Sequence, residues 1–180
     1  MSIKLEYTVF ETTLGWVGIL ASEKGLLAVT LPRSTAEDAR RELGAGAEGA
    51  EYSKDRFVSI ADRLKAYFCG ENVPFPDELD LSAATPFEKQ VWQQTRLIPF
   101  GETRSYLGVA EKIGKPGAAR AVGQALGRNP LLIIVPCHRV VASGGGLGGF
   151  GGGLDMKRWL LEMEGNPQTR GGELPSLRSQ

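Results

Sequence analysis

Over the first 31 residues, apolar and polar positions alternate in short runs. Residues 7–12, 16–21 and 26–31 are rich in β-formers, with turn candidates at Leu14-Gly15 and Glu23-Lys24-Gly25 between them. Three antiparallel strands are expected. The period then changes: Ala36, Ala39 and Leu43 stand at helical spacing behind Ser34 and Thr35, an N-cap pair. Residues 44–50 (GAGAEGA) read as a flexible connection. Apolar positions 57, 60, 61, 64 and 68 predict an amphipathic helix closed by Cys69-Gly70, with Cys69 read as a buried structural thiol. Residues 71–84 hold two prolines and read as a long connection.

Beyond residue 84 the pattern is helical. Thr85-Pro86-Phe87-Glu88 carries a capping box with proline at N1, and Phe87, Val91, Trp92 and Thr95 share a face before Pro99-Phe100-Gly101 stops the helix. Residues 105–113 and 118–126 predict two short helices around the turn Gly114-Lys115-Pro116-Gly117. The pair is either a plain helical hairpin or a helix-turn-helix. Its second helix presents mostly Ala and Gly, with Arg120 as its one charge, a surface smooth enough to approach a groove closely. The apolar run 131–135 predicts a buried strand ended by Pro136, so that Cys137 and His138 sit at a strand exit. Residues 144–153 contain eight glycines, and a last helix over 154–164 shows Met156, Trp159, Leu160 and Met163 on its apolar side with Gly165 as its stop. Residues 166–180 have little to bury and are expected to be flexible.

Composition narrows the class. The 180 residues are 42% hydrophobic and 23% charged, which suits one compact domain or two small ones, and no run of about 18 apolar residues occurs. The N-terminus lacks the basic-then-apolar form of a signal peptide, so a cytoplasmic location is expected, and with it free thiols rather than a Cys69–Cys137 disulfide. The formal net charge of zero hides an asymmetry. Residues 1–80 carry net −5 and residues 81–180 net +5, with Arg104, Lys112, Lys115, Arg120, Arg128 and Arg139 concentrated between 101 and 141. Such a face is either an ordinary solvated surface or a place for a phosphate backbone.

The candidate chemistry lies at Cys137-His138, where the only histidine follows one of two cysteines. A thiol is a nucleophile as thiolate, and an imidazole backed by a carboxylate is the usual means of forming one near neutral pH. Neighbours on an extended chain point to opposite faces, so a water is expected to bridge the two side chains. Glu164, on the helix returning past the glycine loop, is the candidate carboxylate. The loop matches GxGxxG at Gly144, Gly146 and Gly149, but no further strand and acidic residue follow as a dinucleotide site requires, and no GK[ST] occurs. The loop is therefore read as exposed backbone N–H groups beside the thiol.

The set Pro136-Cys137-His138-Arg139-Val140-Val141, Gly127-Arg128-Asn129-Pro130, Ala119-Arg120-Ala121-Val122-Gly123, Pro99-Phe100-Gly101-Glu102 with Ser105-Tyr106, and Lys157-x-Trp159-Leu160-Leu161-x-x-Glu164-Gly165 closely resembles the O6-alkylguanine-DNA alkyltransferases over residues 85–165. The resemblance implies an α+β fold: a small ribonuclease-H-like N-terminal domain, residues 1–84 with the linker, and a mostly helical, winged-helix-like domain with a helix-turn-helix, residues 85–165, before the tail. It implies a monomer that flips O6-alkylguanine, with O4-alkylthymine a further candidate, out of double-stranded DNA and moves the alkyl group irreversibly to Cys137, once per molecule, without cofactor. His138 would be the base acting through water, Glu164 its partner, Tyr106 the proton donor to the leaving guanine and Asn129 the tie of the turn. Arg120 would fill the vacated gap, with Ala119, Ala121, Gly123, Tyr106 and Arg128 at the DNA, and Val140, Phe150, Gly151 and Gly152 would border the base. Arg139 would pair structurally with Asp155.

Two departures stand out. Phe150-Gly151 replaces a Tyr-Ser pair common in the family, which loses hydroxyl contacts and suggests a looser pocket; and with no histidine and only Cys69 in the N-terminal half, no structural zinc is expected. Three rival classes remain: a damage-sensing module on the same scaffold, a cysteine hydrolase built on Cys137, His138 and Glu164, and a plain transcription factor. Alkyltransferase-like sensors lack the cysteine, a hydrolase leaves Arg120 unexplained, and a transcription factor leaves Pro136-Cys137-His138-Arg139 unexplained.

Overall fold

A computed structural model describes residues 2–165. The expectation of a flexible tail falls on residues 166–180, outside the described residues. The fold is α+β and divides into two compact units, one of residues 2–83 with Pro130–Leu132, the other of Ala84–Asn129 with residues 133–165.

The first unit is built on a four-stranded sheet, order β3-β2-β1-β4, from β1 (Glu6–Thr12), β2 (Gly15–Ser22), β3 (Gly25–Val29) and the two-residue β4 (Glu51–Tyr52). The three predicted strands are present and antiparallel, and β4 adds in parallel to β1. Its brevity gives sequence periodicity nothing to register. At Gly25, φ is +151°, and a Cβ would stand 2.5 Å from the Glu78 carbonyl oxygen, so only glycine fits the β2–β3 turn. Residues 17–22 of β2 are buried without alternation, so both faces of this central strand are covered.

Helix α1 (Ala36–Glu42) starts at Thr35, whose hydroxyl accepts from the Asp38 N–H at 3.0 Å, and packs on β2. Contact is close: a Cβ on Gly18 would meet the Ala39 carbonyl at 3.0 Å. The expected flexible connection over 44–50 is instead partly a 3-10 turn, Ala45–Ala47, because Ala47 is buried with Leu20 and Leu43 in one apolar cluster. Helix α2 (Val58–Phe68) buries Ile60, Leu64, Tyr67 and Phe68. Cys69 follows it but is exposed, a correction to the buried-thiol reading: the stripe ends at Phe68, and the cap position turns outward. Both cysteines are free. The connection over 71–84 is tied to the sheet by Leu26 N–H to the Glu78 carbonyl (2.9 Å) and Asp80 N–H to the Leu26 carbonyl (2.8 Å).

In the second unit, α3 (Pro86–Arg96) begins with the predicted capping box, and its Trp92 indole N–H donates to the Ala125 carbonyl at 2.9 Å, fastening α3 to α5 (Ala119–Gly127). Helix α4 (Tyr106–Lys112), capped by Ser105, and α5 form the expected two-helix hairpin. Val122, Ala125 and Leu126 are the buried face of α5, while Arg120 is exposed. A two-stranded parallel ladder joins β5 (Arg104–Ser105) to β6 (Val140–Val141).

Two readings need correction here. Residues 131–135 form isolated bridges around a turn, with Ile133 at φ 71°, rather than a strand. All but Leu132 of the five are buried, and the Asn129 side-chain amide closes the turn by donating to the Val135 carbonyl at 3.0 Å; the apolar run records burial and not a ladder. Helix α6 (Leu154–Met163) buries Met156, Lys157, Leu160 and Leu161 rather than Trp159 and Met163. Its inner stripe continues to Glu164, so two of its members are charged, which a hydrophobic pattern assigns to the outside.

Candidate active site

All of the candidate chemistry lies in the second unit. Cys137–Arg139 form a 3-10 turn, not an extended exit, because the Cys137 N–H turns back to the Val135 carbonyl at 2.7 Å and the Arg139 N–H to the Pro136 carbonyl at 2.9 Å. This turn places Cys137 against a cavity of about 520 Å³ lined also by Tyr106, Arg120, Gly123, Ser143 and Phe150. His138 lies behind the cavity, fully buried.

The imidazole meets Glu164, the residue that ends α6, with Nε2 and Oε2 2.6 Å apart. The carboxylate is acceptor-only, so Nε2 carries the proton and Nδ1 is the basic nitrogen. Arg139 donates to the same carboxylate, Nε to Oε1 at 2.7 Å and Nη2 to Oε2 at 3.1 Å, and from Nη1 to the Ile98 carbonyl at 2.8 Å. Gly101 N–H adds a contact to Oε1 at 3.3 Å. The expected Arg139–Asp155 pair is therefore not formed. Asp155 is at the exposed start of α6 beside Arg158, while Glu164 at the buried end offers the fork-shaped match.

Burial would raise the Glu164 carboxyl, but the hydrogen bonds and charges of His138 and Arg139 outweigh it and hold it far below the usual carboxylate range. Burial pushes the His138 imidazole down, against the pull of Glu164 and with the charges of Arg139 and Lys157. The pair thus rests as neutral imidazole and carboxylate. Burial also pushes the Cys137 thiol up, opposed by a hydrogen bond from Asn129 and the charge of Lys157. The thiol is held protonated until a base removes the proton.

Lys157 is the residue that sequence reasoning left without a role. Fully buried, it directs Nζ to the Val140 carbonyl (2.7 Å), the Gly149 carbonyl (3.0 Å) and the Tyr106 hydroxyl (3.5 Å), so its three donors meet three acceptors. Burial pushes its ammonium down to about 8. The available signal was a lysine at an apolar-spaced position of α6, seven residues before Glu164. Tyr106 in turn donates to the Gly149 carbonyl at 3.3 Å, which fastens the glycine loop over the phenol. Gly148 (φ +72°) allows this approach: a Cβ there would stand 2.4 Å from the Tyr106 hydroxyl.

Of the other expected residues, Ala119, Gly123 and Gly151 line the cavity, whereas Ala121 and Gly152 do not. Val140 is behind it. Its N–H donates to the Cys137 carbonyl and its carbonyl accepts from Lys157, so the 3-10 turn and the lysine occupy both of its backbone groups. Arg128 reaches Glu88 at 3.4 Å while its side chain stays more than half exposed. Among the described residues, no group of three or more His, Cys, Asp or Glu side chains could hold a metal ion, and no helix is long and apolar enough to cross a membrane.

Known proteins resemble this chain over most of its length. Residues 5–81 match the model of the 6-O-methylguanine DNA methyltransferase ribonuclease-like domain, and residues 86–166 that of the 6-O-methylguanine DNA methyltransferase DNA binding domain. A methylated-DNA--protein-cysteine methyltransferase of Mycolicibacterium paratuberculosis is 41% identical over 160 residues, 89% of this chain and 92% of that protein. The chain belongs to the 6-O-methylguanine DNA methyltransferase family. A second member, from Mycobacterium bovis, is 56% identical over 108 residues, 60% of this chain and 65% of its own. Among solved structures, Mycobacterium tuberculosis OGT in complex with DNA superposes with a TM-score of 0.73 at 41% identity, covering 88% of this chain and 92% of that one.

Proposed function

We propose that this protein repairs O6-alkylguanine in duplex DNA by flipping the damaged base into the Cys137 cavity and taking the alkyl group onto the cysteine sulfur, once per molecule. The observation that carries the reading is a single cavity bordered by a buried thiol, a phenol and an exposed arginine, with a His–Glu pair directly behind the thiol. An alkyl carbon inside the base stack cannot be reached for in-line attack, so the base has to leave the helix. Arg120, on the exposed face of α5, fills the gap; Ala119, Ala121 and Gly123 let that helix lie close to DNA, and Arg128 adds a phosphate contact. Residues 85–165 then act as the DNA-binding and alkyl-acceptor domain, and a reduced thiol acting on DNA belongs in the cytoplasm.

Chemically, His138 Nδ1 takes the thiol proton through a water, and Glu164 stabilises the imidazolium that results. The sulfur lone pair forms the S–C bond as the C–O6 bond breaks, and its electrons pass to the guanine. Tyr106 delivers its proton to that base, which departs neutral; the proton held by His138 replaces the one the phenol gave up, so the count closes. Asn129 keeps the turn in place through the Val135 carbonyl, and Phe150 and Gly151 border the base without the hydroxyl contacts of a Tyr-Ser pair.

Intact-protein mass after incubation with an oligonucleotide holding one O6-methylguanine, followed by peptide mapping, tests this. A single methyl gain on Cys137 is expected, with Cys137→Ser unmodified yet still bound to the DNA. Tight binding with no gain would replace the reading by a damage-sensing module, and catalytic turnover would replace it by a hydrolase.

A further inference from the structure

His138 carries the relay, yet its carboxylate is not its own. Glu164 Oε2 is shared between the imidazole at 2.6 Å and Arg139 Nη2 at 3.1 Å, and Oε1 is taken by Arg139 Nε at 2.7 Å. Both side chains of this ion pair are almost wholly buried, so solvent does not screen it. The guanidinium is itself clamped: Nη1 is spent on the Ile98 carbonyl, and the Phe100 ring lies 5.9 Å from its centre. Anchoring the turn to the end of α6 would need only one such contact. A fork that occupies both oxygens of the carboxylate facing the only histidine has an electrostatic consequence as well.

We infer that Arg139 is a positioning residue of the relay, one that holds Glu164 against the imidazole and neutralises enough of its charge to keep His138 an unprotonated base. A buried carboxylate facing an imidazole with no competing cation favours the imidazolium. An imidazolium at rest cannot accept the thiol proton. With the guanidinium in place, the carboxylate orients Nε2–H and stabilises the cation only once the proton has arrived. The charged groups acting on the imidazole are Glu164 and Lys157 from α6 and Arg139 from its own turn, with the Cys137 thiol on the same turn. Burial already pushes the imidazole down, and the two cations work in the same direction.

The role rests on the alkyl-transfer reading, but its first test does not need activity. Because His138 is the sole histidine, one imidazole resonance reports its titration in the full chain. In wild type that resonance titrates below the ordinary value of about 6.5. Arg139→Met should raise it by at least about one unit, a tenfold gain in proton affinity, and Arg139→Lys, which keeps the charge but not the fork, should fall between. In a profile of alkyl transfer against pH, the acid limb of the Met variant should lie about one unit higher than that of wild type, since the same fraction of protonated base is reached at that higher pH. An unmoved imidazole in Arg139→Met, or an acid limb of transfer that coincides with that of wild type, overturns the inference. If Arg139→Met does not fold, Arg139→Lys decides: an imidazole titrating as in wild type refutes the role. Failure of wild type itself to gain an alkyl group would instead strike the alkyl-transfer reading.

Discussion

Replacing Glu164 by Gln tests whether the buried network is worth what its geometry implies. The carboxylate side chain is fully buried and accepts four hydrogen bonds, from His138 Nε2, Arg139 Nε, Arg139 Nη2 and Gly101 N. Glutamine keeps one acceptor oxygen, which can serve Arg139 Nε and Gly101, but it turns an NH2 group toward His138 and Arg139 Nη2. Two charge-assisted bonds are lost and a buried guanidinium is left without its counter-charge. Removing one partner of a buried pair costs about 3–5 kcal/mol, which agrees with two hydrogen bonds to charged groups at about 1.5–3 kcal/mol each. For a chain of this size, roughly 2–4 °C per kcal/mol turns that into a Tm lower by about 6–20 °C. Urea unfolding at pH 7, read with calorimetry, gives both numbers. A cost under about 1 kcal/mol would show that Arg139 and His138 find other partners and that the network has been misread. Wild type carries the pH signature. His138 is buried neutral with its value pushed down, so stability falls once pH drops below about 6.5 and the unfolded imidazole takes up protons. Glu164 is held below its unfolded value, so its contribution is complete above about pH 4.3 and is lost as pH falls toward the folded value, steepening the decline.

Three further outcomes follow from the cavity. Lys157→Met removes the ammonium from Tyr106 and from the Val140 and Gly149 carbonyls, and single-turnover transfer should slow about 10–100-fold, the equivalent of roughly 1.5–3 kcal/mol; a rate within twofold of wild type would deny the lysine any part. Gly148→Ala places a Cβ 2.4 Å from the Tyr106 hydroxyl at a φ of +72°, so alkyl transfer from free O6-benzylguanine should fall about tenfold or more as the phenol is displaced; unchanged transfer would mean that the phenol is not the proton donor. Arg120→Ala should slow repair of duplex DNA by about tenfold while free O6-substituted guanine reacts within about threefold of wild type, because only the duplex must be held open; equal losses would remove its gap-filling role.

Much of this was written in local chemistry. The capping box at Thr85–Glu88, the N-cap Thr35 and the three-stranded meander depend on neighbours within a few residues, and each appears where the sequence places it. The adjacent Cys137 and His138 were legible as rare residue types beside Pro136, and Glu164 as a carboxylate at a helix end. Two features were not. The run 131–135 has the composition of a strand, but its pairing depends on distant partners, and Asn129 folds it into a turn instead. Cys69 has the composition of a buried residue, yet the final position of a helix faces wherever its last turn leaves it.

The inner stripe of α6 shows the division most clearly. Sequence by itself determined that residues 154–163 form a helix, because helical spacing is a property of the chain alone. Only tertiary structure decided that Lys157 and Glu164 belong on its buried side, since a buried charge is tolerated only where other segments bring its partners: the Tyr106 phenol, the Val140 and Gly149 carbonyls for one, His138 and Arg139 for the other. Those partners lie between 8 and 51 residues away along the chain. No local pattern contains that information.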